Sequence, residues 1–133
     1  MEKHFCNYNQ ALALKELGFD EPCFGAYDTH KGDEWSLNIK SDFYYDQFSD
    51  KSKACIAPIK SQVFEWARKE YRIISVIDFY CDNDEWEDTM YEVRISEFKH
   101  FKTHDSFVQS EYKSYEEAES KAIDKLIEII KKK

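Results

Sequence analysis

From Ser114 onward the chain specifies a helix residue by residue. Ser114-Tyr115-Glu116-Glu117 is a Ser-x-x-Glu capping box, whose hydroxyl and carboxylate can take up backbone N–H groups that a helix start leaves unpaired. Ala118, Ala122, Ile123, Leu126, Ile127 and Ile130 then recur at the spacing that lines up one side of a helix. Glu117 with Lys121, and Glu128 with Lys132, stand four residues apart in the favourable order. An apolar stripe of this width has to be covered by a second layer of structure. The upstream residues must therefore supply a surface for it to lie on.

They read as strands interrupted by helices. Residues 9–17 are strong helix formers, with Asn7 or Asn9 as the cap, Gly18 as a left-handed stop and Phe19 folding back on the helix. Residues 23–27 and 34–40 are two strands of a hairpin around a polar stretch containing Gly32. In the second of them Trp35, Leu37 and Ile39 alternate with polar residues, which predicts one buried and one wet face. Residues 41–57 read as an aromatic strand extension followed by a loop. Pro58 suits a first helical position, and a helix is expected over 58–70 with Ile59, Val63, Trp66 and Ala67 on one side.

Residues 72–81 are dense in β-branched and aromatic side chains, which predicts a strand buried on much of both faces and central in its sheet. Residues 89–98 alternate and should pair with it as an antiparallel hairpin, and residues 106–112 form a further short strand at an edge. The expectation is an α+β fold: an antiparallel or mixed sheet of four to five strands with three helices, in the order α-β-β-α-β-β-(β)-α. At 133 residues a single domain over 1–133 is expected, large enough to be stable without staples or metals.

Composition narrows the chemistry. Lys and Arg total 19 against 27 Asp and Glu, a formal net charge of −8, which opposes nonspecific binding to a phosphate backbone. Lys131, Lys132 and Lys133 read as complements to the negative end of the last helix. No apolar run approaches the ~20 residues of a membrane span. The first residues lack the order of a secretion signal, so the expected location is cytoplasmic. Cys6, Cys23, Cys55 and Cys81 show no Cys-x-x-Cys spacing and read as reduced thiols, mostly small buried apolar groups.

The most distinctive local composition is Asp82-Asn83-Asp84-Glu85-Trp86-Glu87-Asp88. Its oxygens suit a cation, but a calcium loop of the EF-hand class requires Gly where Glu87 stands. From Asp78 to Glu97 there are eight carboxylates against Arg94 alone. We read Asp82, Asp84, Glu85, Trp86, Glu87 and Asp88 as an acidic contact surface for a basic protein partner, which such charge would steer into encounter. His100 and His104 have the spacing of helical zinc ligands but sit in a strand end or loop, without the Glu of a metalloprotease motif. With Gly18, Gly25 and Gly32 as the only glycines, a glycine-cradled phosphate site has no residues to build it. No cysteine carries a nucleophile signature, and the aromatics Tyr44, Tyr45, Phe48, Phe79 and Tyr80, without interleaved basic residues, read as core.

Three stretches carry a resemblance: Gln10-Ala-Leu-Ala-Leu-Lys-Glu-Leu-Gly-Phe-Asp-Glu-Pro-Cys-Phe-Gly25, Ala57-Pro-Ile-Lys-Ser-Gln-Val-Phe-Glu-Trp-Ala-Arg-Lys-Glu-Tyr71, and Tyr115-Glu-Glu-Ala-Glu with Leu126-Ile-Glu-Ile-Ile130. Together they make the chain similar to small uncharacterised proteins of phages and mobile elements of anaerobic gut bacteria. The resemblance implies a genomic context and assigns no catalytic residue. The expected function is a non-enzymatic interaction or accessory protein acting on a host protein, for example in anti-defence by imitating nucleic-acid charge. No cofactor and no metal are expected. The alternative is a small Cys/His-dependent enzyme or metal-binding domain.

Overall fold

The computed structural model describes residues 2–29, 35–43, 55–81 and 89–133. The fold is α+β, with three α-helices, five longer strands and one strand of three residues, all paired antiparallel among the described residues. The strands belong to two separate three-stranded sheets. The chain forms two compact units, Met1–Val63 and Phe64–Lys133.

The first unit opens with a 3-10 turn, Glu2–His4, and helix α1, Tyr8–Glu16. Asn7 caps α1 through a reciprocal pair: its side-chain oxygen Oδ1 accepts the Gln10 N–H at 2.8 Å, and the Gln10 side chain accepts the Asn7 N–H at 3.1 Å. At the other end Gly18 has φ +92, and the Phe19 N–H reaches back to the Leu14 carbonyl at 3.0 Å. Left-handed backbone at this point is what a glycine accepts at least cost. Phe19 and Leu14 are both buried, as the residue that folds back over its own helix should be.

Strands β1, Cys23–Thr29, and β2, Trp35–Phe43, form the expected hairpin, and the turn between them lies outside the described residues. Ile39 is 48% exposed, so the predicted buried face of β2 does not extend to it. The sheet order β2-β1-β3 makes β2 an edge strand, and the residue opposite Ile39 is Gly25, which offers no side chain. Strand β3, Cys55–Ala57, replaces the end of the expected loop and pairs with β1 through Tyr27 and Cys55. All three of its residues are buried. A residue before proline is biased to extended backbone, which favours a strand here.

Helix α2, Lys60–Tyr71, starts two residues later than Pro58 predicted. The Pro58 carbonyl accepts the Cys6 N–H at 2.9 Å and Ile59 bridges to Phe5, so extended pairing holds the chain until Lys60. Lys60 is buried and its ammonium donates to the Lys3 carbonyl at 2.9 Å. Phe5 lies over Gly25 so closely that a Cβ there would stand 2.7 Å from its ring.

The second unit begins within α2, at Phe64, and continues as a meander of β4, Ile73–Cys81, β5, Thr89–Lys99, and β6, Lys102–Tyr112, followed by α3, Tyr115–Lys131. Ser114 caps α3 by accepting the Glu117 N–H at 3.1 Å, while the Glu117 carboxylate accepts the Lys113 N–H at 3.3 Å. Ala118, Ala122, Ile123, Leu126, Ile127 and Ile130 are all buried, the stripe anticipated from their spacing. The helix lies against β4, β5 and β6, where Ile73, Val93, Ile95 and Tyr112 complete the core. The Lys125 ammonium stands 5.0 Å from the Phe107 ring centre, and Tyr91 meets Tyr115 edge to face at 6.0 Å.

Candidate interaction surface

The order of the second sheet is β4-β5-β6, so the central strand is β5 and β4 is an edge. This overturns the reading of residues 72–81 as a central strand buried on both faces. Three strands joined by consecutive hairpins put the middle one in the centre whatever the composition of the first. Along β4 only Ile73 is buried. Val76 is 47% and Phe79 57% exposed, so Phe79 is not the core residue its composition implied.

The pairing sorts side chains into two faces. Ile73, Ser75 and Ile77 stand opposite Glu97, Ile95 and Val93 on the face that α3 covers. On the other face Ile74, Val76, Phe98 and Val108 remain exposed. Val76, Arg94 and Val108 form one cross-strand row, with the guanidinium between two valines. Arg94 donates to Glu92 at 3.2 Å and to Asp105 at 3.1 Å, and the Ser96 hydroxyl donates to Asp105 at 2.8 Å. Hydrogen bonding to Glu92 and the neighbouring carboxylate of Asp105 raise the Arg94 pKa further. A fixed charge flanked by exposed aliphatic groups is a surface with both specificity and apolar area.

Among the described residues no strand pairs with the other edge of β4. The Phe79 N–H donates to its neighbour's carboxylate, Asp78, at 2.9 Å, so that amide points away from β5. Backbone groups alternate along a strand, so the Ser75 and Ile77 amides point to the same open side. Edge strands are usually blunted by lysine, proline or bulges. β4 pairs with β5 in unbroken register from Ile73 to Cys81, and Asp78 is its only charged residue.

Other candidate groups fall elsewhere. Asp82, Asp84, Glu85, Trp86, Glu87 and Asp88 lie outside the described residues, as do Tyr44, Tyr45 and Phe48. His100 lies in the β5–β6 turn and His104 on β6 opposite Glu97, so the two do not share a helix face. Cys6, Cys23 and Cys55 are buried and Cys81 is exposed, all as free thiols. Burial pushes the Cys23 thiol up to about 12, with the Glu21 charge adding to it, and pushes Cys55 up to about 11. These shifts keep both sulfurs protonated, the opposite of what a nucleophile needs. Among the described residues no His, Cys, Asp and Glu set is arranged to hold a metal. Among them, too, no helix is long and apolar enough to cross a membrane.

The sequence contained one sign of this surface. Residues 89–98 alternate charged and apolar residues, and the connections on either side are short enough to make a meander. Connectivity therefore pointed to β5 as the centre, while local composition pointed to β4. Comparison of the chain with protein-family models, with curated proteins and with solved structures gives no match.

Proposed function

We propose that this chain is a non-enzymatic protein-interaction module that binds its partner along β4, by adding a strand to the open edge of the second sheet. The observation that supports the reading is the mismatch between composition and position. β4 has the β-branched, aromatic make-up of an interior strand, yet stands at an edge with Ile74, Val76 and Phe79 exposed. A strand supplied by another protein would pair with the outward Ser75 and Ile77 amides and cover those side chains. Main-chain bonds would give affinity, and the side chains on alternate positions specificity. The raised thiol pKa values at Cys23 and Cys55 favour this reading over a cysteine enzyme.

The acidic residues Asp82, Asp84, Glu85, Glu87 and Asp88 directly follow β4 in the chain. In this proposal they steer a basic partner toward the edge, and Trp86 adds contact area. The resemblance to phage and mobile-element proteins makes a host protein the natural target, and interference with a host defence nuclease one form of it.

Affinity capture from host lysate tests the reading with a matched pair of proteins, wild type and Val76→Glu. The new carboxylate would face Arg94 across the strands, so the fold should tolerate it while the edge becomes charged. One protein recovered in stoichiometric amount by wild type and lost with Val76→Glu is the expected result. Identical recovery by both, or no specific recovery by wild type, contradicts the proposal.

A further inference from the structure

A second surface lies in the β5–β6 turn. β5 ends at Lys99 and β6 begins at Lys102, and these two lysines are paired across the sheet. His100 and Phe101 are the whole connection. Both are left-handed, with φ 53 and φ 63. Two-residue hairpin turns of this shape favour Asn-Gly, since both central residues must be left-handed, which glycine and asparagine accept at least cost. A His-Phe turn is therefore a poor choice for closing the hairpin. It also displays a large apolar ring, for Phe101 is 95% exposed. Left-handed backbone also occurs at Arg72 and Glu111, but at Phe101 it coincides with an almost fully exposed aromatic ring.

The charge around the turn is opposite to that of the chain as a whole. Residues 97–104 and 130–133 contain five lysines and two histidines with Glu97 as the one acidic side chain among them, while Asp105 and Glu128 stand just outside and Glu128 pairs with Lys132 at 3.3 Å. The end of α3 reaches this region, because the Lys133 ammonium contacts Glu97. Lys99 also pairs with Glu97, at 3.3 Å, and the Ser106 hydroxyl donates to it at 3.1 Å. The two lysines on one carboxylate hold the turn and the helix end together, with positive charge in excess.

We infer that the β5–β6 turn and the end of α3 form a docking surface for a short acidic segment of a partner protein, with Phe101 as the apolar anchor and Lys102, paired across the strands with Lys99, as a cation for its carboxylates. Charge complementarity favours a short segment over an extended polyanion. A membrane or a duplex would meet the net charge of −8 across its whole footprint, whereas a short peptide within a Debye length of about 8 Å meets only the local lysines. This surface is separate from the β4 edge and stands whether or not that edge binds a strand.

The test uses the full chain and a fluorescein-labelled Glu-Glu-Leu-Glu-Glu peptide, read by fluorescence anisotropy at low ionic strength. Wild type is expected to bind it saturably. Phe101→Gly and Lys102→Glu are each expected to weaken binding by about tenfold or more, as loss of an anchor does. Lys121→Glu, on an exposed part of α3, makes the same charge change and is expected to leave binding as in wild type. Because glycine relieves the left-handed strain, Phe101→Gly should also melt higher by roughly 2–6 °C, so that its weaker binding does not reflect unfolding. Absence of saturable binding by wild type, or equal binding by Phe101→Gly, overturns the inference. So does tighter binding to phosphatidylserine vesicles or to an oligothymidylate than to the peptide, which would reassign the surface to lipid or nucleic acid.

Discussion

At the scale of single residues, the clearest constraints are steric and electrostatic ones that leave little room for alternatives. Gly25 lies under the Phe5 ring with the Ala57 carbonyl 3.0 Å from where a Cβ would be. Gly25→Ala should therefore lower stability by about 1–3 kcal/mol, the usual cost of overpacking, as measured by urea denaturation. Ser75 behaves in the opposite way. Among the described residues its buried hydroxyl has no hydrogen-bond partner, so Ser75→Ala should be neutral or stabilising by up to about 1 kcal/mol in the same assay. The cysteines were legible from spacing and setting as small apolar groups, and three of the four are buried. Alkylation of the native protein by iodoacetamide near neutral pH should modify Cys81 and spare Cys6, Cys23 and Cys55, a pattern that mass spectrometry reads directly. The strained His-Phe turn was not legible, because φ is a property of the folded hairpin.

At the scale of elements, the capped helices were the most readable parts of the chain, since cap, stripe and stop are all local in sequence. α1 carries its stop at Gly18, and α3 its cap at Ser114 with every stripe position buried. Ser114→Ala should cost α3 about 1 kcal/mol, visible as an earlier loss of helical circular dichroism on heating. The strands were readable as strands but not in their positions. Composition reports what a side chain would prefer to touch, whereas being central or at the edge depends on pairing between distant segments. That is why β4 looked like an interior strand, β3 like a loop and Pro58 like the start of α2. The end of α3 adds a pH dependence through Glu97. Hydrogen bonding from Lys133 lowers its pKa, against the opposing effect of burial. A lowered folded pKa means stability that is present above the unfolded value and lost as pH falls through the folded one. Glu97→Gln should thus unfold at lower urea than wild type near pH 7, and the gap should narrow as pH falls below the usual carboxylate range.

At the scale of the whole molecule, the chain is an acidic α+β protein of two compact units, the second of which is a sheet with a helix on one face. The α+β class and the order of elements were legible because helix and strand periodicities alternate clearly along the chain. The sorting of strands into two sheets was not, since it depends on which hairpin pairs with which. In the sequence the acidic residues 82–88 precede β5 and the basic residues of the 99–102 turn follow it. In the proposed function the open edge beside that strand receives the partner. Amide hydrogen exchange on the complex with the captured protein tests this most directly. The account predicts strong slowing at Ser75 and Ile77 on binding, with little change at amides within the β5–β6 ladder. Unchanged exchange at Ser75 and Ile77, with slowing confined to other parts of the chain, would contradict it.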